Sequence, residues 1–236
     1  MISVCMATYN GEKYVKEQID SILPQLGKND ELVISDDGSK DNTISIIESY
    51  GDDRIKLLQN HGKHGFVSNF ENVLKQCRGD FIFLSDQDDI WKDNKVSVIM
   101  EELKYYSLVI HDAEIVDGEG ISKGYTYSSG MHHSSSFLMN LWKTRWLGCC
   151  MAFKKDVLEF CLPFPEKIVG HDYWIGMMGM LKFKYHFVPE VLMYYRRHGD
   201  NVSPSGEKSP YSLFYKLFVK RWNLIKSIVK RILQNR

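Results

Sequence analysis

Two patterns of apolar and polar positions alternate over about the first 106 residues of the chain. Apolar runs with little polar interruption, typical of strands covered on both faces, lie at 2–7, 31–35, 55–59 and 81–84. Stretches with apolar residues at helical spacing lie between and after these runs, at 14–24, 42–50, 66–77 and 92–106. Asp41 or Asn42 is expected to cap the second helix. This β-α-β-α-β-α-β-α order predicts an α/β fold with a parallel, doubly wound sheet and helices on both faces.

The pattern changes after residue 112, where shorter strand-like pieces are separated by loops and by a serine-rich stretch at 128–136. The strand-like pieces lie at 114–116, 149–153, 185–188 and 191–195. One helix is expected from about Asp172 to Leu181. This half is therefore predicted to be mixed rather than strictly alternating. The halves 1–112 and 113–202 are expected to form one domain, and a Ser/Pro/Gly-rich linker is expected at 203–210.

The last stretch, residues 211–236, predicts a basic amphipathic helix with seven Lys or Arg residues and no acidic residue. Its apolar residues recur at helical spacing: Phe214, Leu217, Phe218, Ile225, Ile228, Val229 and Ile232. A helix of this kind suits the surface of an anionic membrane. It also suits packing on the rest of the chain or on a second copy in a dimer, because all these surfaces are apolar. Both interpretations stay open.

Composition narrows the class of protein. The chain has 236 residues, of which 44% are apolar and 25% are charged, as is typical of a globular domain with a real core. A formal net charge of zero gives no argument for nucleic-acid binding. The five cysteines lack metal-site spacing, which favours free thiols in a reducing compartment. Without a signal-peptide pattern or an apolar run of about 20 residues, the chain is expected to be cytoplasmic.

Three carboxylates follow the fourth apolar run within four positions: Asp86, Asp88 and Asp89. Like charges this close are costly unless a cation lies between them. Hard oxygen ligands suit Mg²⁺ or Mn²⁺, which commonly bind carboxylates together with phosphates. The second apolar run ends in Asp36 and Asp37, and parallel strands of an open sheet bind ligands at their carboxyl ends. Both clusters therefore predict one metal-diphosphate crevice, and the alternative for each is a solvated polar turn.

Six short motifs follow one another in an order that is typical of one enzyme family. They are Ala7-Thr8-Tyr9-Asn10, Asp36-Asp37-Gly38-Ser39, Leu84-Ser85-Asp86-Gln87-Asp88-Asp89-Ile90-Trp91, Gly148-Cys149-Cys150, His171-Asp172 and Tyr195-Arg196-Arg197-His198-Gly199-Asp200-Asn201. Together they resemble the inverting family 2 glycosyltransferases of the GT-A fold, in particular the rhamnosyltransferase-like enzymes of bacterial polysaccharide and O-antigen synthesis. The resemblance covers about residues 1–202. It implies a Rossmann-like, mostly parallel central sheet and a donor-binding half followed by an acceptor-binding half.

The resemblance implies roles for the residues around the metal. Asp88 is implied to be a ligand of Mg²⁺ or Mn²⁺, and Asp86 a contact to the ribose or to the metal shell. His198 is implied to complete the metal or diphosphate site, and its alternative is an exposed turn residue. Arg196 adds a donor for phosphate oxygens next to His198.

The nucleotide base of a UDP- or dTDP-sugar is implied to lie between the first two motifs. Tyr9 is implied to stack on the pyrimidine ring, and Asp37 to accept its N3 proton. Ala7 and Asp36 are placed in the same donor site. Asp36 has a structural alternative, because Asp, Gly and Ser all favour turns.

Asp172 is implied to be the general base that takes the acceptor proton during a single inverting displacement. Helix chemistry alone also explains an acidic residue here, because the N-terminus of a helix favours negative charge. The implied activity is that of a metal-dependent hexosyltransferase acting on a saccharide hydroxyl, with a lipid-linked acceptor at the inner face of the plasma membrane.

Two other functional classes remain. A non-catalytic sugar-nucleotide-binding protein on the same fold would keep the donor site without turnover, but the joint presence of Asp88, Asp172 and His198 argues against it. A phosphoryl-transfer enzyme with Asp86 as nucleophile would be expected to carry its aspartate after the first strand, where this chain has Ala7-Thr8-Tyr9.

Overall fold

A computed structural model describes residues 1–130, 134–142, 146–168, 170–199 and 220–234. Its strands are β1 (Ile2–Thr8), β2 (Glu31–Asp36), β3 (Ile55–Gln59), β4 (Phe81–Ser85), β5 (Ile90–Trp91), β6 (Leu108–Val116), β7 (Ser122–Thr126), β8 (Met151–Lys154) and β9 (Tyr185–Arg196). Its helices are α1 (Val15–Ile22), α2 (Thr43–Glu48), α3 (Phe66–Gln76), α4 (Lys95–Glu102), α5 (Phe137–Trp142), α6 (Lys155–Cys161), α7 (His171–Lys182) and α8 (Lys220–Gln234).

The described strands form one sheet in the order β3-β2-β1-β4-β8-β6-β9-β5, and β7 pairs with β6. The first four of these strands are parallel, with β1 between β2 and β4. Beyond β4 the sheet is mixed, because β8 runs antiparallel to both β4 and β6 while β6 and β9 are parallel. The predicted parallel half and mixed half are both confirmed.

Burial on both faces explains why β1, β2 and β4 read as continuous apolar runs. Val4, Leu32 and Phe83 are each fully buried in neighbouring strands. Helices cover the sheet with one face each, as in α1, which buries Val15, Gln18, Ile19 and Ile22 at helical spacing. This packing fixes the carboxyl ends of β1, β2 and β4 at one edge of the sheet.

Two element predictions were wrong at their boundaries. The fourth helix begins at Lys95 rather than near residue 92, because Ile90–Trp91 forms a short strand that pairs with Tyr194 and Met193. The predicted pieces 185–188 and 191–195 form one continuous strand, β9. The gap between the two predicted pieces is an irregularity within β9: His111 and Asp112 of β6 are consecutive, but they pair with Val188 and Val191.

The C-terminal helix has two different apolar faces. The predicted linker 203–210 and the start of the predicted helix, 211–219, lie outside the described residues. In α8, Leu224 and Ile228 are buried in the core, and the Arg231 guanidinium donates to the carbonyl oxygen of Phe160 at 3.0 Å. The opposite face exposes Trp222, Ile225, Val229 and Leu233. One face of α8 therefore packs on the rest of the domain, and the opposite apolar face is exposed.

In the part of the chain that the structure describes, no helix combines the length and the apolar character that crossing a membrane requires.

Candidate active site

The predicted site residues meet where β1, β2 and β4 end and where β9 returns to the same edge. Tyr9 follows β1, Asp37 follows β2, and Asp86 follows β4. The last strand, β9, ends at Arg196 and brings His198 beside them. Four of the six sequence motifs, far apart along the chain, thus meet at one edge of the sheet. Cys149 of a fifth motif clusters with Asp86, and the sixth, at Asp172, lies on the first turn of α7.

The two predicted metal ligands, Asp88 and His198, lie in contact with each other. His198 Nε2 lies 2.8 Å from Asp88 Oδ2, and the two side chains are 12% and 13% exposed, respectively. The His198 ring also packs against Tyr14, with ring centroids 4.7 Å apart. The structure therefore places both groups together at the surface of the crevice, where a ligand can reach them.

The carboxylates behind this pair form a compact acidic cluster. One ligand atom each of Asp86, Asp89 and Cys149 lies within 4.8 Å of the others. Asp89 is fully buried: its Oδ1 accepts from the Arg196 backbone N–H at 3.1 Å, and its Oδ2 has no hydrogen-bond donor among the described residues. The pKa of Asp86 is raised to about 7. Burial is the largest cause, and the negative charges of Asp88 and Asp172 add to it.

This donor set fits a hard divalent cation. The buried Oδ2 of Asp89 has no donor among the described residues, which is the state expected of an oxygen that a bound cation would satisfy. Asp88 and His198 offer an oxygen and a nitrogen ligand at the exposed side of the cluster.

Hydrogen bonds hold the loop of Tyr9 against the acidic motif. The Gln87 side chain accepts from the Tyr9 backbone N–H at 2.8 Å and donates to the Tyr9 carbonyl oxygen at 3.0 Å. The Tyr9 residue remains 50% exposed, as its predicted role in stacking on a base requires. Ala7, two positions earlier, pairs with Ser35 within the sheet, where it is partly buried. Contacts of Tyr9 and Ala7 to a donor stay predictions.

Asp37 connects two loops at the same edge. Its Oδ1 accepts from Asn60 Nδ2 at 2.6 Å, and its Oδ2 accepts from the Gly65 backbone N–H at 2.8 Å. His64 Nδ1 lies 3.5 Å from Oδ1. The carboxylate thus fixes the loop between β3 and α3, and its predicted contact to a pyrimidine stays a prediction.

Asp36 has the structural role that the turn chemistry suggested. Its carboxylate accepts from the Thr8 hydroxyl at 2.9 Å, from the Ser39 hydroxyl at 2.6 Å, and from the backbone N–H groups of Gly38 and Ser39. These bonds shape the loop that presents Asp37. A direct contact of Asp36 to the donor stays a prediction.

Arg196 also has a structural role, through contacts that the sequence did not suggest. Its guanidinium is buried and donates to the carbonyl oxygens of Asp88 and Gly118, each at 2.9 Å, and to the carboxylate of Glu17. It therefore ties the Asp88 loop to α1. Its predicted contact to the donor phosphates stays a prediction beside this positioning role.

Asp172 lies in the first turn of α7 and is partly exposed. Its Oδ1 accepts from the Tyr173 backbone N–H at 2.7 Å. Burial raises the pKa of Asp172 to about 6, although the bonds from backbone N–H groups oppose this shift. A carboxylate with such a pKa is suited to accept a proton near neutral pH.

Gly148 allows α7 to approach the cluster closely. A Cβ atom at this position would lie 3.4 Å from the Cβ of Asp172 and 2.8 Å from Nε2 of His171. The His171 ring stacks on Phe70 with centroids 3.8 Å apart, and burial lowers its pKa to about 3. His171 is thus a neutral packing group that sets the position of its neighbour Asp172.

Sequence reasoning assigned no role to Gln87 and Cys149, which lie within two of the six motifs, and it missed Asn60 and Lys95 as parts of this region. For Lys95 a signal was present, because Lys95, Val96 and Ile99 lie on the buried face of α4, where a charge is unexpected. The contacts of Gln87, Asn60 and Cys149 have no local signal, since their partners lie in other segments of the chain.

Residues 3–161 match the family described as Glycosyl transferase family 2. The chain belongs to this family. The sequence is 30% identical over 181 residues to the Escherichia coli UDP-Glc:alpha-D-GlcNAc-diphosphoundecaprenol beta-1,3-glucosyltransferase WfgD. It is 27% identical over 224 residues to the Campylobacter jejuni GalNAc(5)-diNAcBac-PP-undecaprenol beta-1,3-glucosyltransferase.

These alignments cover 75% and 90% of this chain and 68% and 70% of the two relatives. The chain thus spans about two thirds of the length of these curated family 2 glycosyltransferases.

Solved structures share the fold at low sequence identity. S. aureus TarS 1-349 in complex with UDP-GlcNAc has a TM-score of 0.73 at 21% identity, covering 98% of this chain and 66% of that one. The Pyrobaculum calidifontis mannosyltransferase PcManGT in complex with GDP-Man and Mn²⁺ has a TM-score of 0.62 at 17% identity, covering 99% and 74%. The predicted GT-A type of sheet is confirmed.

Proposed function

We propose that the protein is a metal-dependent, inverting glycosyltransferase that transfers a hexose from a UDP- or dTDP-sugar to a saccharide hydroxyl in bacterial surface polysaccharide synthesis. The meeting of Asp88 and His198 beside the acidic cluster carries this proposal. The undecaprenol-linked substrates in the names of the two curated relatives support the class of acceptor.

In this proposal the chain's own groups prepare the site for a diphosphate. Asp88 and His198 hold Mg²⁺ or Mn²⁺, and Asp86 lies at the edge of this site. When bound, the ion neutralises charge that develops on the leaving diphosphate. Arg196 keeps the Asp88 loop in place from behind, and Tyr9 and Asp37 receive the nucleotide base.

Asp172 takes the proton of the acceptor hydroxyl in the proposed reaction. Its pKa of about 6 leaves most of the carboxylate ionised at pH 7, and its Oδ1 is kept in place by the Tyr173 N–H. A single base opposite the leaving group corresponds to one in-line displacement, which inverts the anomeric carbon.

The positive charge on α8 supports contact of the protein with the inner face of the plasma membrane, which carries the lipid-linked acceptor in this proposal. Trp222, Ile225 and Val229 form an exposed apolar strip, and Lys226 and Lys230 flank it. Tryptophan beside lysine is typical of helices at the interface of anionic membranes. A homodimer contact through the same strip is the alternative outcome of a vesicle-binding test.

The decisive experiment for the proposed activity measures release of UDP or dTDP from a panel of nucleotide sugars, with and without Mn²⁺ and an undecaprenol-linked saccharide. Metal-dependent release that Asp172→Asn abolishes while donor binding persists is the expected result. Donor binding without release by the unsubstituted protein under any of these conditions would favour the non-catalytic sugar-nucleotide-binding protein instead.

A further inference from the structure

Tyr14 packs against the ring of a predicted metal ligand. Its ring centroid lies 4.7 Å from that of His198, with the two ring planes tilted by 35°, and the guanidinium carbon of Arg196 lies 4.8 Å from the Tyr14 centroid. Tyr14 is buried and directly precedes α1. The same tyrosine therefore contacts the last residue of β9 and the histidine just beyond that strand.

His198 lies past the end of the last strand. The strand β9 ends at Arg196, and the backbone N–H of Arg197 makes one further bond, to the carbonyl oxygen of Val116 at 2.9 Å. His198 follows these backbone bonds, in a segment that the structure describes as far as residue 199. The position of its ring therefore depends on side-chain contacts, and those with Asp88 and Tyr14 are two of them.

The loop before α1 holds Tyr14 in place. The Tyr14 backbone N–H donates to the carbonyl oxygen of Gly11 at 3.0 Å, and Gly11 packs so closely on the acidic motif that a Cβ there would overlap the Gln87 side chain. Gly118 lies beside both rings, since a Cβ at this position would be 3.4 Å from the Tyr14 hydroxyl and 3.6 Å from the His198 Cβ. Tyr14 thus joins the loop after β1 to the segment that follows β9.

A site binds a divalent cation tightly when its ligands are held in place beforehand, because ordering a mobile side chain costs conformational entropy. Removing a group that orients a ligand commonly weakens metal binding by about 10- to 100-fold. We propose that Tyr14 is a positioning residue for the metal site: its ring fixes the His198 imidazole with Nε2 beside Asp88, ready to bind Mg²⁺ or Mn²⁺. This inference rests on the metal site of the proposed function.

Two substitutions separate the aromatic ring of Tyr14 from its hydroxyl and from its apolar volume. Tyr14→Phe keeps the ring and should bind Mn²⁺ as tightly as the unsubstituted protein does. Tyr14→Leu keeps an apolar side chain but loses the ring, and it should weaken Mn²⁺ binding by about tenfold or more. The measurement is electron paramagnetic resonance of free Mn²⁺ at pH 7 with the protein and the ion alone, so it requires neither donor nor turnover.

Tyr106→Leu is the matched control. Tyr106 also stacks on a histidine of β9, with its ring centroid 4.6 Å from that of His186. His186 lies near the start of β9 and Arg196 at its end, on the order of 30 Å apart at the usual rise of a strand. Loss of this second stack should leave the affinity for Mn²⁺ unchanged, whatever it costs in stability. Equal weakening by Tyr106→Leu and Tyr14→Leu would make the effect a general loss of packing and overturn the proposal.

Nuclear Overhauser effects between the ring protons of Tyr14 and His198, measured in EDTA, test the contact without any metal. They are expected in the unsubstituted protein, and their absence would overturn the proposal. If the contact is present but the unsubstituted protein binds no Mn²⁺, the metal site of the proposed function fails and this inference fails with it. If the unsubstituted protein binds Mn²⁺ and Tyr14→Leu binds it equally well, this inference alone fails.

Two further outcomes concern the variants themselves. Equal weakening of Mn²⁺ binding by Tyr14→Phe and Tyr14→Leu would assign the effect to the hydroxyl and contradict the role of the ring. Should Tyr14→Leu fail to fold, Tyr14→Met replaces it in the Mn²⁺ measurement, with the same expected loss of about tenfold or more. Failure of both variants to fold would make Tyr14 a residue of the core packing, and the proposal would fall.

Discussion

His198 Nε2 lies 2.8 Å from Asp88 Oδ2, although 110 positions separate the two residues along the chain. The contact joins the loop after β4 to the end of β9, and the Arg196 guanidinium reinforces it by donating to the Asp88 carbonyl oxygen. A pair of this kind, open to the crevice on one side, is suited to hold a divalent cation. Its contribution to nucleotide binding is directly measurable.

Asp88→Ala is expected to abolish Mn²⁺-dependent binding of UDP, because it removes the carboxylate of this pair. Calorimetric titration of UDP with Mn²⁺ and with EDTA measures the effect. The control is Asp93→Ala, which removes a nearby exposed carboxylate outside the pair. Unchanged metal-dependent binding in Asp88→Ala would remove Asp88 from the metal site.

Asp172→Asn is expected to lower kcat by about 10²-fold or more with little change in donor affinity, because an amide cannot accept the acceptor proton. Steady-state transfer assays and donor titrations measure the two quantities. Asp156→Asn is a matched control, since Asp156 also lies in the first turn of a helix and accepts from the next backbone N–H at 2.8 Å. A rise in donor KM at constant kcat would make Asp172 a binding residue.

The pH dependence of kcat should show an acid limb with an apparent pKa near 6. Burial raises the pKa of Asp172 to about 6, so below this pH the carboxyl is protonated and cannot accept a proton. Activity is therefore lost as the pH falls through about 6 and is retained above it. Measurement of kcat between pH 5 and pH 8, a range of about one unit or more on either side of that value, checks this. If the residual activity of Asp172→Asn showed the same acid limb, the titrating group would be a residue other than Asp172.

Gly148→Ala should impair turnover more than stability. Its new Cβ would meet His171 Nε2 at 2.8 Å and the Asp172 Cβ at 3.4 Å, which displaces the start of α7. Because a shift of about 1 Å in a reacting group can cost on the order of 10²-fold in rate, we expect a loss of about tenfold or more in kcat. Thermal unfolding and kcat measured on the same preparation separate the two effects. A fall in stability with normal kcat would contradict the proposed position of the base.

Charge reversal on the outer face of α8 tests the membrane contact. Lys226→Glu/Lys230→Glu should weaken co-sedimentation with anionic vesicles and leave thermal stability unchanged, because both lysines are exposed. Leu224→Ala is the contrasting variant, since Leu224 is buried and its truncation should lower stability. No vesicle binding by the unsubstituted protein, with concentration-dependent dimers instead, would assign the apolar strip to a second copy.

Much of the parallel half followed from the sequence because its signals are local. The apolar runs of β1 to β4 and the helical spacing of α1 and α3 depend only on neighbouring residues, and both matched the structure closely. The motif at Asp86 to Asp89 was informative for the same reason, since neighbouring like charges are costly without a cation and ligands bind at the carboxyl ends of parallel strands. Order along the chain was enough to expect that these motifs meet at one edge.

Only the tertiary structure decided how the side chains at that edge are used. Asp36 and Arg196 make their hydrogen bonds within the protein, and the partners of Arg196 in Glu17 and Asp88 are 179 and 108 positions away. The short strand β5 forms because β9 offers it backbone partners, and α8 buries one apolar face and exposes another. A sequence pattern records which residues are apolar or charged, but contacts between distant segments arise only when the chain has packed.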